Sequence, residues 1–382
     1  MLYNTKEFKM KHHFSIFILV LFFCIVSANR IKSQTILNKD TLISLSAEAD
    51  DSITIHYIGC SGFFIRKGNN VVLIDPYFSY KKAYTYLFGS LTNMSNIRTE
   101  VKGLIDSVFY HVIGSSSDHS GLIKTLLITH GHVDHYGDVP YLFHSGHFNM
   151  DTLKIIGNTT TQCYLGGDEI PDKNIIKPVE STASPISEEG KWININNKIR
   201  VLPILSEHAP HLKILGIKIY LVPKKNEKKN IRHKYWRQYS SGQTLSYLID
   251  FLNDDGSINF RAYVNSSACN YPYGLPAQSI LNQHPIDIAM LCVASFNNVK
   301  NYPEYIVRYL NPKHIIACHW EQFLNSSINK LKEKPKTVPI ANVNAFFRRL
   351  DKVLSDLHSG TTYIRPNVNT TIKYLYSNAQ RQ

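Results

Sequence analysis

The sequence predicts a mixed α/β protein built from layers of sheet and helix. Short apolar or alternating runs recur along the chain with Gly, Asn, Asp and Pro turns between them, which is typical of strands. Segments with apolar residues three and four positions apart intervene, which is typical of amphipathic helices. Apolar residues make up 43% of the 382 positions, so the chain can bury a large core.

The predicted elements alternate along most of the chain. The strand pattern covers residues 53–58, 63–66, 71–74, 125–129, 152–156, 199–203, 245–251 and 315–318. The helical pattern covers residues 95–109, 139–143, 302–309 and 342–357. There is no internal repeat, so we expect one domain over residues 51–382, with insertions near 77–120 and 210–240.

One segment places three imidazoles and a carboxylate directly behind a predicted strand. These side chains belong to His130, His132, Asp134 and His135. Side chains alternate in an extended chain, so His130 and His132 point the same way and can bind one ion. Asp134 and His135 lie where the chain turns toward a helix and can bind a second ion. Histidine and carboxylate suit zinc, and the pattern therefore predicts a metal site rather than surface histidines.

The pattern T-H-x-H-x-D-H-x-G in this segment resembles the signature of the metallo-β-lactamase-fold metallohydrolases. The stretches 53–59 and 71–77 resemble the opening strands of that family. The resemblance implies a four-layer αββα sandwich, in which two sheets pack face to face between outer helices. It also implies that Asp75 supports the ligand loop from behind.

The resemblance further implies how the ligands are shared between two ions. The first ion takes His130, His132 and His208, and the second takes Asp134, His135 and His319. The family usually has a bridging aspartate that residues 260–269 lack, and the candidate substitutes are Ser266, Ser267 and Cys269. Loss of that shared charge predicts a second site that is weaker than usual or empty. One or two zinc ions are expected, and iron or manganese would suit the same ligands.

The N-terminus has the features of an export signal. In residues 1–28, lysines precede an apolar run that is short for a membrane span and ends in small residues. Cleavage would leave a tail at 29–50 and no stable membrane span, so we expect a periplasmic or extracellular protein. The five cysteines beyond the signal are scattered singly, which is not a disulfide framework. Of these, Cys60 is predicted to be a buried, inert thiol.

Charge and the two insertions bear on the substrate. The formal charge of +13 favours an anionic partner, although a basic surface without a partner explains it equally. Residues 223–237 are basic and carry Tyr235 and Trp236, which would suit an anionic ring, and a solvated loop is the alternative. Residues 77–98 are rich in Tyr and Leu. This composition favours a lipid-like small molecule or simple loop packing.

The favoured hypothesis is a secreted hydrolase. A zinc-activated hydroxide would cleave an ester, lactone, amide or phosphodiester bond, and Asp134 and His135 are the catalytic candidates. Residues 319–323 resemble the lactonase and phospholipase-like branch more than true β-lactamases. A nuclease of the same fold is one alternative, and the export signal and the lack of a nucleic-acid module argue against it. A non-catalytic binding protein on a degenerate scaffold is the other.

Overall fold

Two seven-stranded sheets and one small hairpin make up the strands of the computed structural model. The strands are β1 Ile53–Gly59, β2 Gly62–Lys67, β3 Asn70–Ile74, β4 Ile123–Leu127, β5 Lys154–Ile156, β6 Ile175–Ile176, β7 Ile193–Asn194, β8 Ile199–Leu205, β9 Leu212–Ile214, β10 Ile217–Ile219, β11 Leu245–Leu252, β12 Ile258–Asn265, β13 Ile288–Cys292, β14 His314–Cys318, β15 Thr362–Ile364 and β16 Thr370–Tyr374. The first sheet has the order β16-β1-β2-β3-β4-β5-β6 and the second β15-β14-β13-β12-β11-β8-β7, while β9 and β10 form the hairpin.

Helices lie on the outer faces of both sheets. They are α1 Thr99–Ile113, α2 Val133–Tyr136, α3 Val139–His144, α4 Thr159–Gly167, α5 Gln278–Gln283, α6 Glu304–Leu310 and α7 Val343–Leu357. Short 3₁₀ turns occur at His119–Leu122, Asp172–Asn174, Trp236–Gln238 and Phe296–Asn298. None of the described helices has the length and apolar character needed to cross a membrane.

The described part of the chain begins after the predicted leader and tail. The structure describes residues 52–80, 99–113, 119–177, 182–214, 217–222, 233, 235–323, 336–338, 341–358 and 360–374. The predicted signal at 1–28, the tail at 29–50 and most of residues 77–98 and 223–237 lie outside this set. The described residues all belong to one compact unit, Asp40–Gln382.

Three apolar clusters define the layers. Along β3, Val72 and Ile74 belong to a cluster that also contains residues of the second sheet, such as Tyr247. The alternate residues Val71 and Leu73 pack with α1 on the other face. A third cluster joins the outer face of the second sheet to α6 and α7. Since successive side chains of a strand point to opposite faces, this alternation confirms the predicted four-layer αββα sandwich.

Helix α7 shows how the sequence determines a helix and its buried face. The Asn342 side chain accepts a hydrogen bond from the Ala345 N–H, which caps the first turn. Phe346, Leu350 and Val353 follow at spacings of three and four and are buried against the second sheet. The helix was predicted from the same spacing.

All of the predicted strands and helices are present, with bounds that shift by a few residues. Helix α4 was not predicted, because its sequence begins with three β-branched threonines, which favour a strand. Its start is nonetheless capped by Asn158, whose side chain accepts from the Thr161 N–H. The C-terminal strands β15 and β16 were also missed, since short edge strands carry little periodic signal.

The topology brings the carboxyl ends of six strands to one edge. In the first sheet β1 is antiparallel to β2, and β2 to β3, so β1, β3 and β4 run the same way. In the second sheet the same relation makes β8, β12 and β14 run in a common direction. Each of the predicted metal ligands follows one of these strands, at the edge where such sheets place ligands.

A buried ion pair stabilises the second sheet. The Arg261 guanidinium donates to both Asp250 carboxylate oxygens, at 2.7 and 2.9 Å, and both side chains are fully buried. Arg200 also donates to Asp250, at 3.0 Å. Arg261 further donates to the carbonyl oxygens of Ile280 and His284, so every group in this network has partners.

We expect Arg261→Met to lower the free energy of unfolding by about 3 kcal/mol, because it leaves a buried carboxylate with one cation only. Denaturant unfolding measures this change. The control is Lys173→Met, which breaks an exposed pair with Asp151 and should cost less than about 1 kcal/mol. Equal losses in the two variants would show that the buried network does not have this role.

Candidate metal centre

Two groups of three donor side chains lie at the common edge of the sheets. The groups are His130, His132 and His208, and Cys60, Asp134 and His319. Within each group the ligand atoms lie within 4.8 Å of one another. A zinc ion binds nitrogen, oxygen and sulfur at roughly 2.0–2.3 Å, so one ion can reach all three members of a group after small side-chain movements.

A glycine between two of the ligands lets the loop pack closely against the second half of the chain. The Gly131 N–H donates to the Ser241 carbonyl at 2.9 Å. A Cβ atom at residue 131 would lie 2.4 Å from the Ser240 carbonyl oxygen and 2.8 Å from the Tyr164 ring. Only glycine fits there, and this contact holds His130 and His132 at the sheet edge.

Asp75 holds the ligand loop from behind. Its carboxylate accepts hydrogen bonds from the Thr129 N–H at 2.8 Å and the Thr129 hydroxyl at 2.5 Å. It also lies 2.8 Å from His135 Nδ1. With its proton on Nδ1, His135 presents an unprotonated Nε2, which lies 3.6 Å from the Asp134 carboxylate. Asp75 therefore fixes the orientation of His135, a predicted ligand that belongs to neither donor group of the described residues.

The three-histidine group fits a cation. His130 Nε2 is buried and has no hydrogen-bond partner among the described residues. His208 Nδ1 donates to the Ala209 carbonyl at 2.6 Å, which leaves its Nε2 free to accept. A buried nitrogen lone pair without a partner is costly, and a bound cation would satisfy it.

These imidazoles are in the neutral, metal-binding form. Burial lowers the pKa of His130 and His132 well below the usual range, and neighbouring imidazoles lower it further. Burial likewise lowers the pKa of His208 to about 3. Protons therefore do not compete for these nitrogens at neutral pH.

The second group carries the negative charge of the centre. Asp134 lies 3.0 Å from His319 Nε2. Burial alone would raise the pKa of Asp134, but the imidazoles of His135 and His319 outweigh it and the pKa is lowered. Burial would lower the pKa of His135, and the carboxylates of Asp134 and Asp75 raise it instead. Asp134 is therefore a carboxylate.

The residues predicted to replace the bridging aspartate have different surroundings. Ser266 Oγ is buried without a partner among the described residues. Ser267 Oγ accepts from the Ala209 N–H at 3.2 Å. The Cys269 sulfur lies 3.0 Å from the Tyr305 hydroxyl and belongs to neither donor group. All five cysteines of the described residues are free and buried, in keeping with the absence of a disulfide framework in the sequence.

Two residues of the centre were missed by the sequence analysis. Cys60 was predicted to be inert, yet its sulfur lies in the second group. The His211 ring centroid lies 5.3 Å from that of His132 and 5.2 Å from that of His208. The sequence signal that could have identified His211 is its position three residues after His208. Two histidines at that spacing can both face one metal site.

The part of the site that precedes His208 lies in a segment that matches a known family. Residues 58–194 match the family described as the metallo-beta-lactamase superfamily. Over these residues the chain is similar to the metallo-beta-lactamase superfamily. The matched segment contains Cys60, Asp75 and the whole His130–His135 motif. No curated protein matches the chain.

Three solved structures resemble the chain at low identity. A metallo hydrolase from the archaeon Ignicoccus hospitalis is 13% identical, with 85% of this chain and 99% of that one covered and a TM-score of 0.45. The metallo-beta-lactamase fold protein YhfI from Bacillus subtilis is 9% identical, covering 85% and 100%, with a TM-score of 0.44. An isothiocyanate hydrolase from Delia radicum gut bacteria is 12% identical, covering 85% and 99%, with a TM-score of 0.44. These scores are too low to support an argument about the site.

We expect Asp75→Asn to weaken zinc binding at the Asp134 group about 10–100-fold, because an amide no longer fixes the proton on His135 Nδ1. Titration of metal-free protein with zinc measures the affinity. Asp168→Asn is the matched control, since Asp168 is also buried but accepts from the Tyr136 hydroxyl instead. Unchanged zinc affinity in Asp75→Asn would refute the orienting role.

We expect the metal-free protein to lose stability as the pH falls below about 6.5, the usual pKa of histidine. Burial lowers the pKa of His130 and His132, of His208 to about 3 and of His211 to about 4. The unfolded chain therefore binds more protons than the folded chain, and stability present above pH 6.5 is lost on acidification. The pKa of His135 is raised instead, so this one group favours the folded chain on acidification and partly offsets the loss.

Each lowered histidine contributes up to about 1.4 kcal/mol per pH unit. Thermal unfolding at pH 7 and pH 5 measures the effect, and His132→Asn should make the dependence shallower. A midpoint that stays constant or rises between pH 7 and pH 5 would be the opposite of this expectation.

Proposed function

We propose that the protein is an exported hydrolase that cleaves an ester, lactone, amide or phosphodiester bond in a small molecule. The superfamily match and the two donor groups support a metal-dependent hydrolase in general. The observation that carries the proposal is the three-histidine group, in which a buried Nε2 of His130 has no partner among the described residues. Export rests on the signal pattern at residues 1–28, and the preference for an anionic substrate rests on the charge of +13.

The donor groups support a proposal of where a metal would bind. His130, His132 and His208 would hold one cation, and Asp134, His135 and His319 would take part in holding a second. When bound, the metal supplies Lewis-acid activation of water and of the scissile carbonyl or phosphoryl group. The neutral imidazoles and the ionised Asp134 are already in the protonation states that this chemistry needs.

Asp134 is the best-placed proton acceptor. Its carboxylate is held by the 3.0 Å contact with His319 Nε2, and the Asp134 side chain is 12% exposed, which leaves part of it open to water. We propose that it orients the attacking water and takes its proton, which is worth roughly 10²–10⁴-fold in such reactions. The His135 Nε2 lies 3.6 Å from the same carboxylate.

His211 is placed to orient the substrate. Its Nδ1 accepts from the Leu221 N–H at 3.4 Å, so the ring proton resides on Nε2. Burial lowers its pKa to about 4, which keeps the ring neutral. A neutral imidazole beside the three-histidine group can donate a hydrogen bond to a substrate oxygen without repelling a cation.

The experiment is a hydrolysis assay of the full chain, metal-free and zinc-loaded, against chromogenic esters, lactones, β-lactams and phosphodiesters. We expect zinc-dependent hydrolysis of at least one class, and Asp134→Asn to lower kcat at least about 100-fold. The variant should retain zinc at the three-histidine group, which elemental analysis measures. Asp254→Asn is the control, because Asp254 is exposed and pairs with Lys198 away from the donor groups.

Three results would each contradict part of the proposal. Equal rates of hydrolysis with and without metal would show that the reaction does not use the metal. Zinc binding without hydrolysis of any probe class would favour the binding-protein alternative. Full activity of Asp134→Asn would show that another group accepts the proton.

A further inference from the structure

The second donor group lacks the bridging carboxylate that the resemblance implies. Asn265 ends β12 and Ser266 and Ser267 follow it, and none of them has a side chain that carries negative charge. Asp134 is therefore the one carboxylate in its donor group. A divalent cation held there by one carboxylate and neutral imidazoles would keep a net positive charge in a buried place, which is unfavourable.

A thiol lies where the missing charge is needed. Cys60 comes directly after β1, and its sulfur lies within 4.8 Å of the donor atoms of Asp134 and His319. It is fully buried. The position is on the first sheet, so the thiol approaches the group from another strand than the one that carries the bridging aspartate in the family.

Hydrogen bonds hold the turn that carries Cys60 against His319. The Cys60 carbonyl accepts from the His319 N–H at 2.5 Å and from the Tyr57 hydroxyl at 2.9 Å. The Cys60 N–H donates to the Glu321 carboxylate. The backbones of Cys60 and His319 are thus joined directly, which keeps the two residues side by side.

Both residues also adopt a strained backbone. Cys60 has φ 51° and His319 has φ 55°, in the left-handed region that residues other than glycine rarely adopt. Backbone strain of this kind persists where the surroundings fix it, which is often at a functional site. Here it turns a thiol and an imidazole toward the same carboxylate.

The other candidates for the missing charge are engaged elsewhere. The Glu321 carboxylate accepts from the Tyr57 hydroxyl at 2.6 Å and the Tyr80 hydroxyl at 3.3 Å, in addition to the Cys60 N–H. The Cys269 sulfur lies by Tyr305 and Asn265. Neither side chain belongs to a donor group of the described residues.

We propose that the Cys60 thiolate is a ligand of the second cation and replaces the charge of the missing bridging carboxylate. The inference deepens the proposed function, on which it rests. Asp134, His135 and His319 complete the set, which then has two nitrogens, one oxygen and one sulfur. Its two negative charges balance a divalent cation. Thiolate favours zinc over manganese, whereas the three-histidine group accepts either.

This ligand set also implies different roles for the two ions. Four protein ligands fill a tetrahedral zinc site, as in sites that only stabilise structure or tune charge. Three histidines leave one position open, as in catalytic sites. Hydrolysis would therefore take place at the three-histidine group, with Asp134 shared between the second cation and the attacking water.

The experiment is cobalt substitution of the full chain, followed by optical absorption and metal analysis. Cobalt bound to thiolate gives a sulfur-to-metal charge-transfer band in the near ultraviolet, which nitrogen and oxygen ligands do not give. We expect two cobalt ions per chain and this band in the unchanged protein. Cys60→Ser should lose the band and one cobalt ion, and Cys269→Ser, a matched buried thiol, should keep both. Zinc X-ray absorption should show a sulfur neighbour at about 2.3 Å that Cys60→Ser lacks.

The outcomes separate this inference from the proposed function. Two bound ions without the band in the unchanged protein would overturn the role of Cys60 and leave the hydrolase intact. A band that survives in Cys60→Ser and vanishes in Cys269→Ser would assign the ligand to Cys269 instead. Failure of the unchanged protein to bind any cobalt would overturn both. Since the unchanged protein decides the first and last outcomes, misfolding of a variant cannot hide the answer.

Discussion

The rest of the centre depends on one buried carboxylate, that of Asp75. It accepts from two donors of Thr129 and lies 2.8 Å from His135 Nδ1, so it ties the end of β3 to the loop after β4. A carboxylate buried without such partners would be strongly destabilising, which makes the three contacts mutually dependent. The loop that carries the motif is therefore held by an interaction that lies behind the ligands.

The second constraint is that each donor group draws on both sheets. His130 and His132 follow β4 of the first sheet, and His208 follows β8 of the second. Asp134 lies in α2, which follows β4 of the first sheet, and His319 follows β14 of the second. Neither group exists until the two sheets pack together, so metal binding and the packing of the two sheets should stabilise one another.

Much of this was predictable from the sequence. Period-two alternation located the strands, because one face of each sheet packs on its partner and the other on helices. The motif at 130–135 was readable because its ligands are close in sequence. The position of Cys60 beside Asp134 and His319 was not predicted, because both are distant from it in sequence and a buried thiol looks the same whether or not it faces donors. His211 was missed because its contact with His132 depends on how the segment after β8 returns over the site.

The most direct test of the metal centre is an anomalous difference map at the zinc edge from crystals of the full chain grown with zinc. We predict a peak bounded by the nitrogens of His130, His132 and His208, and a second bounded by Asp134 and His319. Zinc-loaded crystals that show these side chains ordered with no peak between the three histidines would contradict the account.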